Sequence, residues 1–196
     1  PVLCTQAEVR LEQGALDEAE ALLDRAAALP AAQSDAFTAR LRSAWGGLAA
    51  ARGEHEKAQT RLEAAIRMAE QAGDNETLWR ALARQADAHW AAGRRAETLQ
   101  ALAAAVEVTE RAAAALPEPL EAVYRAAPAR QGVRDALRRV RAGIAPRGRL
   151  AEDVDLRTRR DGAWRPAWAQ RYPHIIGRAP ALLPVFNALD RVSGSD

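Results

Sequence analysis

Residues 36–69 read AFTARLRSAWGGLAAARGEHEKAQTRLEAAIRMA, and the fold turns on this stretch. In its first half Phe37, Leu41, Ala44, Leu48 and Ala51 recur at helical spacing; in its second Ala58, Leu62, Ala65, Ile66 and Ala69 do the same. Each half therefore predicts a helix with one apolar face, and each face needs a partner. Between them Gly53 breaks the register, because a residue without a Cβ takes the left-handed conformation that ends one helix and lets the chain reverse.

The same turn recurs at Gly14 and Gly93, at spacings of 39 and 40 residues. Nine residues after each glycine stands a leucine (Leu23, Leu62, Leu102), twelve after it an alanine (Ala26, Ala65, Ala105), and five after it a small residue (Ala19, Ala58, Thr98). Alanine is common in this chain, so the leucines carry most of the weight. The pattern predicts an internal repeat, about three helical hairpins over residues 1–115, that hide their apolar stripes by stacking.

Outward from the repeat, Val2 to Glu12 and Leu16 to Leu29 predict a first hairpin around Gly14, stopped by Leu29-Pro30. Ser34 or Asp35 is placed to cap the next helix, and Asp74 or Asn75 the one after Gly73. In the third unit Leu78, Leu82, Ala86 and His89 line one helix and Leu99, Leu102 and Val106 the other. Arg94 and Arg95 stand where the earlier units carry acids, against the helix dipole. After Leu116 the period fails. Pro117 and Pro119 bracket a short helix, Leu120 to Ala126, and another runs from about Gln131 to Ala142, so residues 116–145 read as a helical cap over the last repeat. Residues 146–173 show little periodicity and read as an arginine-rich irregular linker, with Trp164 and Trp168 expected to pack on a neighbouring surface.

Composition agrees with an all-α chain: aromatics make up 5% and alanine is abundant, which suits closely packed helices rather than a sheet sandwich. No stretch approaches the roughly 18 uninterrupted apolar residues of a membrane span. The opening P-V-L-C-T has neither an initiator Met nor a signal pattern and reads as a cut edge of a longer polypeptide. The lone cysteine, Cys4, fits a reducing cytoplasm and has no local base or acidic partner to make it a reactive thiolate. The net charge of +2 hides an asymmetry: residues 1–115 carry −4 and residues 116–196 carry +6. Of the 28 basic residues Lys57 is the only lysine, a bias that base composition explains before function does.

Two resemblances add to this reading. The helix-turn-helix units, with Ala7, Ala19 and Leu23, then Gly46, Ala58 and Leu62, then Ala86 and Leu102 at close-packing positions, resemble the tetratricopeptide repeat family over roughly residues 1–113. The period is longer than the ~34 residues of the usual repeat. The resemblance implies a superhelical array of antiparallel helix pairs whose inner groove holds a peptide or another domain, with Glu8, Arg40, Ser43, Arg80, Asp87 and Trp90 facing inward. The second lies in residues 172–182, YPHIIGRAPAL, followed by Val185, Phe186, Leu189 and Val192. This looks like the entry segment of the AAA+ domain in sigma-54-dependent transcription activators, with Ala179 in place of the commoner serine. It implies that residues 174–196 are the edge of an ATPase domain, with Ile176 and Gly177 near the adenine of bound ATP. Sigma-54 RNA polymerase, DNA, ATP and Mg would then be partners of missing parts of a bacterial cytoplasmic parent protein.

Within the chain itself no G-x-x-x-x-G-K-[ST] occurs, so no catalytic residue and no phosphate loop is expected. His55, His89 and His174 lie on separate elements without ligand-spaced neighbours, so no metal site is expected. His55 is expected as an exposed turn residue and His89 as a half-buried helix residue. Two alternatives remain open. One is a tetratricopeptide-like scaffold with no transcriptional role. The other is nucleic-acid binding through the arginines from Arg134 to Arg160, against which Glu152, Asp153, Asp155 and Asp161 interrupt the basic run.

Overall fold

Gly14, Gly53 and Gly93 each take a left-handed φ, of 75°, 77° and 72°. Each closes a helix in the same way. The residue after the glycine donates its N–H to a carbonyl five residues back, Ala15 to Arg10 and Glu54 to Ala49 at 2.9 Å and Arg94 to His89 at 2.8 Å. This closure occupies a carbonyl that a helix end leaves open, and no side chain with a Cβ takes the required φ without strain.

The computed structural model describes residues 2–29 and 34–146. Among them are eight helices and no strand: α1 (Val2–Glu12), α2 (Leu16–Ala27), α3 (Asp35–Ala51), α4 (His55–Ala72), α5 (Asn75–Ala91), α6 (Arg95–Ala114), α7 (Glu118–Ala126) and α8 (Pro128–Arg141). All belong to one compact unit within residues 1–152. The chain is therefore all-α over this range. Helices α1 and α2, α3 and α4, and α5 and α6 pack as hairpins, and α3 also packs against both α1 and α5. The rest of the linker after Pro146, with Trp164 and Trp168, and the segment carrying Ile176 and Gly177 lie outside the described residues, as does Pro30.

The repeat positions are the core. Leu23, Leu62 and Leu102, Ala26, Ala65 and Ala105, and Ala19, Ala58 and Thr98 are all fully buried. Thr98 replaces an alanine at no polar cost, since its hydroxyl donates to the Arg94 carbonyl at 2.8 Å. Where α3 crosses α4 a Cβ on Gly46 would lie 2.6 Å from Leu62 Cγ, a clash that glycine avoids. One apolar cluster gathers Cys4, Leu11, Leu23, Phe37, Leu41 and Leu48 from α1, α2 and α3. Another joins Trp79 and Leu82 of α5, Leu102 and Val108 of α6, and Val133, Leu137 and Val140 of α8.

Several boundaries differ from expectation for local reasons. Ser34 stands at the start of α3 but makes no side-chain cap there, its carbonyl instead accepting from the Thr38 N–H at 2.9 Å. At the start of α5 Asp74 is the cap, accepting from the Thr77 N–H at 3.0 Å. Pro119 sits inside the first turn of α7 rather than before it, and α8 begins at Pro128 rather than Gln131. Proline lacks only an N–H that the first turn does not use, so it starts a helix as readily as it stops one. Arg94 and Arg95 escape the α6 dipole by reaching away. Arg94 donates to Gln59 Oε1 at 3.1 Å, and Arg95 donates to the Val140 carbonyl in the last turn of α8 at 2.9 Å, where a cation is favourable. α7 buries no residue, and Leu120 on it is 47% exposed.

Candidate functional site

The site is built from the first helix of each hairpin, and its centre is Glu8 on α1. Arg84 of α5 reaches across α3, donating from Nη2 to Glu8 Oε1 at 2.8 Å and from Nη1 to Ser43 Oγ at 2.7 Å. Its path crosses Gly47, where a Cβ would touch the Arg84 stem at 3.4 Å. On the other side Arg40 of α3 donates to Glu8 Oε2 at 3.2 Å and to Thr5 Oγ1 at 2.8 Å. Three helices are thus tied through one carboxylate. Burial alone would raise the Glu8 carboxyl, but the charges of Arg84 and Arg40 outweigh it and hold the group below its ordinary value.

Beside this node Glu76 of α5 pairs with Arg80 at 2.8 Å and with Arg130 of α8 at 2.9 Å. Burial again opposes ionisation, and the two arginines again win, so Glu76 is also held low. Arg80 and Arg130 both lie over the Trp79 ring, at 4.9 and 5.7 Å, and Arg130 stacks on Tyr124 at 3.6 Å. These cation–aromatic contacts bind the last helices to the third hairpin.

Two clefts open along α1, α3 and α5, and both are lined by Glu8 and Arg84. The smaller, of about 140 Å³, is edged by Arg40, Ser43, Arg80 and Glu76. The larger, of about 340 Å³, is edged by Glu12, Gly47, Ala51, His55, Asp87 and Ala91. Its construction follows the repeat. Glu8, Gly47 and Asp87 occupy one equivalent position, and Glu12, Ala51 and Ala91 the equivalent position one helical turn later. Because α3 carries glycine where α1 and α5 carry Glu8 and Asp87, and alanine where α1 carries Glu12, the surface sinks over α3.

Of the six inward positions implied by the resemblance, Glu8, Arg40, Ser43 and Arg80 surround the smaller cleft and Asp87 lines the larger. Trp90 lies elsewhere, packed against the apolar cluster of α5, α6 and α8. Arg84 is not among them, although it lines both clefts and bonds Glu8 and Ser43. The signal was available in part, since Arg84 sits one turn beyond Arg80 and one turn before Asp87 on the same helix. His55 is exposed, and His89 is buried rather than half-buried, its imidazole pushed toward the neutral form by desolvation and by Arg94. Cys4 is fully buried, and burial pushes its thiol up. Among the described residues no three His, Cys, Asp or Glu side chains converge as a metal site, and no helix is long and apolar enough to cross a membrane.

Compared with protein-family models, with curated proteins and with solved structures, the chain matches none.

Proposed function

We propose that this chain is the partner-binding, regulatory region of a bacterial sigma-54-dependent transcription activator. In this reading the hairpins form a tetratricopeptide-like superhelical array in the cytoplasm whose first helices bind a peptide or protein and control a downstream AAA+ ATPase. The observation that carries the binding half is the larger cleft. Repeat-equivalent positions on α1, α3 and α5 build it, as expected where stacked units share one recognition surface. The transcriptional half rests on the IIGRAP stretch at residues 175–180. ATP and Mg are assigned to the parent protein and not to this chain. The sequence holds no phosphate-binding loop, and its single lysine, Lys57, pairs with Glu54 at the start of α4.

Two measurements test the halves separately. Reading the encoding gene beyond Asp196 is expected to show a strand and a G-x-x-x-x-G-K-[ST] loop almost at once; their absence would leave a scaffold without a transcriptional role. ATP hydrolysis by the parent protein, measured with and without residues 1–145, is expected to differ. Equal rates and equal assembly would remove the regulatory role.

A further inference from the structure

Helix α8 repeats the first helices of the hairpins. Gly143 closes it with a φ of 79°, and Ile144 donates its N–H to the Arg139 carbonyl five residues back at 2.8 Å. Ten residues before the closing glycine α3, α5 and α8 bury Ser43, Ala83 and Val133, and seven before it Gly46, Ala86 and Ala136. The onward face is different. Twelve and five residues before the glycine, where α3 and α5 bury Leu41, Ala81, Leu48 and Ala88, α8 carries Gln131 and Arg138, both exposed. The positions that stack one unit on the next are therefore polar here.

This end of the stack is also basic. α8 carries Arg130, Arg134, Arg138, Arg139 and Arg141 against Asp135 alone, and Arg94 and Arg95 stand beside its last turn at the start of α6, against Glu97. Glu76 pairs with Arg130, Glu110 with Arg134 and Asp135 with Arg138. With Arg94 set against Glu97, and His89 pushed toward neutrality, three positive charges remain. Arg95 donates to the Val140 carbonyl at 2.9 Å and Arg139 to the Ala145 carbonyl at 2.8 Å. Arg141 is exposed and makes no ion pair among the described residues. Backbone carbonyls thus hold two guanidinium groups in place without neutralising them, and each keeps further N–H donors for another partner.

We propose that this end of the stack, where α6 begins and α8 ends, binds the phosphate backbone of duplex DNA without reading its sequence. The inference goes beyond the partner-binding reading and does not depend on it. Guanidinium groups lacking a carboxylate pair readily with phosphate oxygens, two N–H donors at a time. A folded acidic protein would need an apolar centre to its interface, and beside these arginines only Ile144, 47% exposed, offers a large apolar side chain. Neither α8 nor the first turn of α6 has an aromatic side chain on which an unpaired base could stack, which favours a duplex over a single strand. The wider field orients the encounter, since residues 116–196 carry +6 and residues 1–115 carry −4.

The test is fluorescence anisotropy of a short labelled duplex titrated with the full 196-residue chain. The logarithm of affinity is expected to fall against the logarithm of salt with a slope of about −3 or steeper, one phosphate for each free arginine. Arg141→Glu, at an exposed position, is expected to weaken binding about fivefold or more. Arg95→Gln with Arg139→Gln and Arg141→Gln should flatten the slope by about one for each arginine removed. Arg25→Gln with Arg42→Gln and Arg67→Gln, which removes the same charge from exposed positions on α2, α3 and α4, should leave binding within about twofold. Equal losses in the two triple variants would overturn the site. So would loss of binding in Arg147→Gln with Arg149→Gln and Arg157→Gln while Arg141→Glu binds normally, because the linker would then be the contact. Tighter binding of a single strand would overturn the duplex assignment, and displacement of the duplex by polyglutamate at equal charge would replace DNA by an acidic protein. No binding at low salt would overturn the inference outright, and every one of these outcomes leaves the partner-binding reading standing.

Discussion

Glu8 sets the energetics at the scale of single residues. Its side chain is 14% exposed and that of Arg84 12%, so solvent screens their 2.8 Å contact little. Removing one charge strands the other. Glu8→Gln is expected to cost about 2 kcal/mol near neutral pH, less than a fully buried pair would lose because Arg84 keeps Ser43. The same residue predicts an acid limb. Glu8 and Glu76 titrate below their ordinary 4.5 in the folded chain, so as pH falls the unfolded chain takes up protons first. The stability they lend is complete above about pH 4.5 and is lost as pH drops through their folded values. Urea unfolding between pH 3 and 6 should therefore show a shallower fall for Glu8→Gln than for the parent chain, and superimposable limbs would contradict the assignment.

Helices and their crossings are the next scale, and two glycines separate propensity from packing. Gly46 and Gly132 both lie inside helices, where alanine is intrinsically favoured by about 1 kcal/mol. Around Gly132 nothing lies within 4 Å of an added Cβ, so Gly132→Ala is expected to stabilise the chain by about 0.5–1 kcal/mol. At Gly46 the new Cβ would meet Leu62 Cγ at 2.6 Å, and the overpacking should outweigh the propensity gain, a net loss of about 1–2 kcal/mol. Thermal unfolding of the two variants side by side decides this, and a stabilising Gly46→Ala would mean the α3 and α4 crossing is looser than described. The equivalent positions in the neighbouring hairpins carry Ala7 and Ala86, which shows how one repeat tolerates a Cβ that another cannot.

For the whole molecule, α8, the last helix among the described residues, matters more than its position suggests. Val133 is fully buried, and α8 closes the apolar face of α6 that would otherwise be the open end of the stack. Val133→Asp places a carboxylate in that seam and is expected to cost about 3–4 kcal/mol, with loss of α8 packing and self-association of the exposed face. Calorimetry with size-exclusion chromatography reads both effects, and an unchanged melting temperature would show that α6 does not need this cover. Arg130 acts in the same seam from outside, fastening α8 to Glu76, Trp79 and Tyr124.

Much of this architecture is legible in the sequence, because a helical hairpin is specified locally. A glycine at the reversal, leucine nine residues later and small residues at fixed offsets state where each helix turns and which face is hidden. The observed α1 therefore has the bounds its periodicity predicts, and every repeat position is buried. Proline was less legible, since Pro119 and Pro128 serve as helix starts and the same residue type also ends helices. The cleft belongs to neither class. Glu8 and Arg84 are 76 residues apart, and no local pattern says that an arginine on α5 crosses a glycine on α3 to reach a carboxylate on α1. Stacking decides that pairing, because only the tertiary arrangement brings equivalent positions of successive hairpins side by side and turns a small residue in the middle one into a depression.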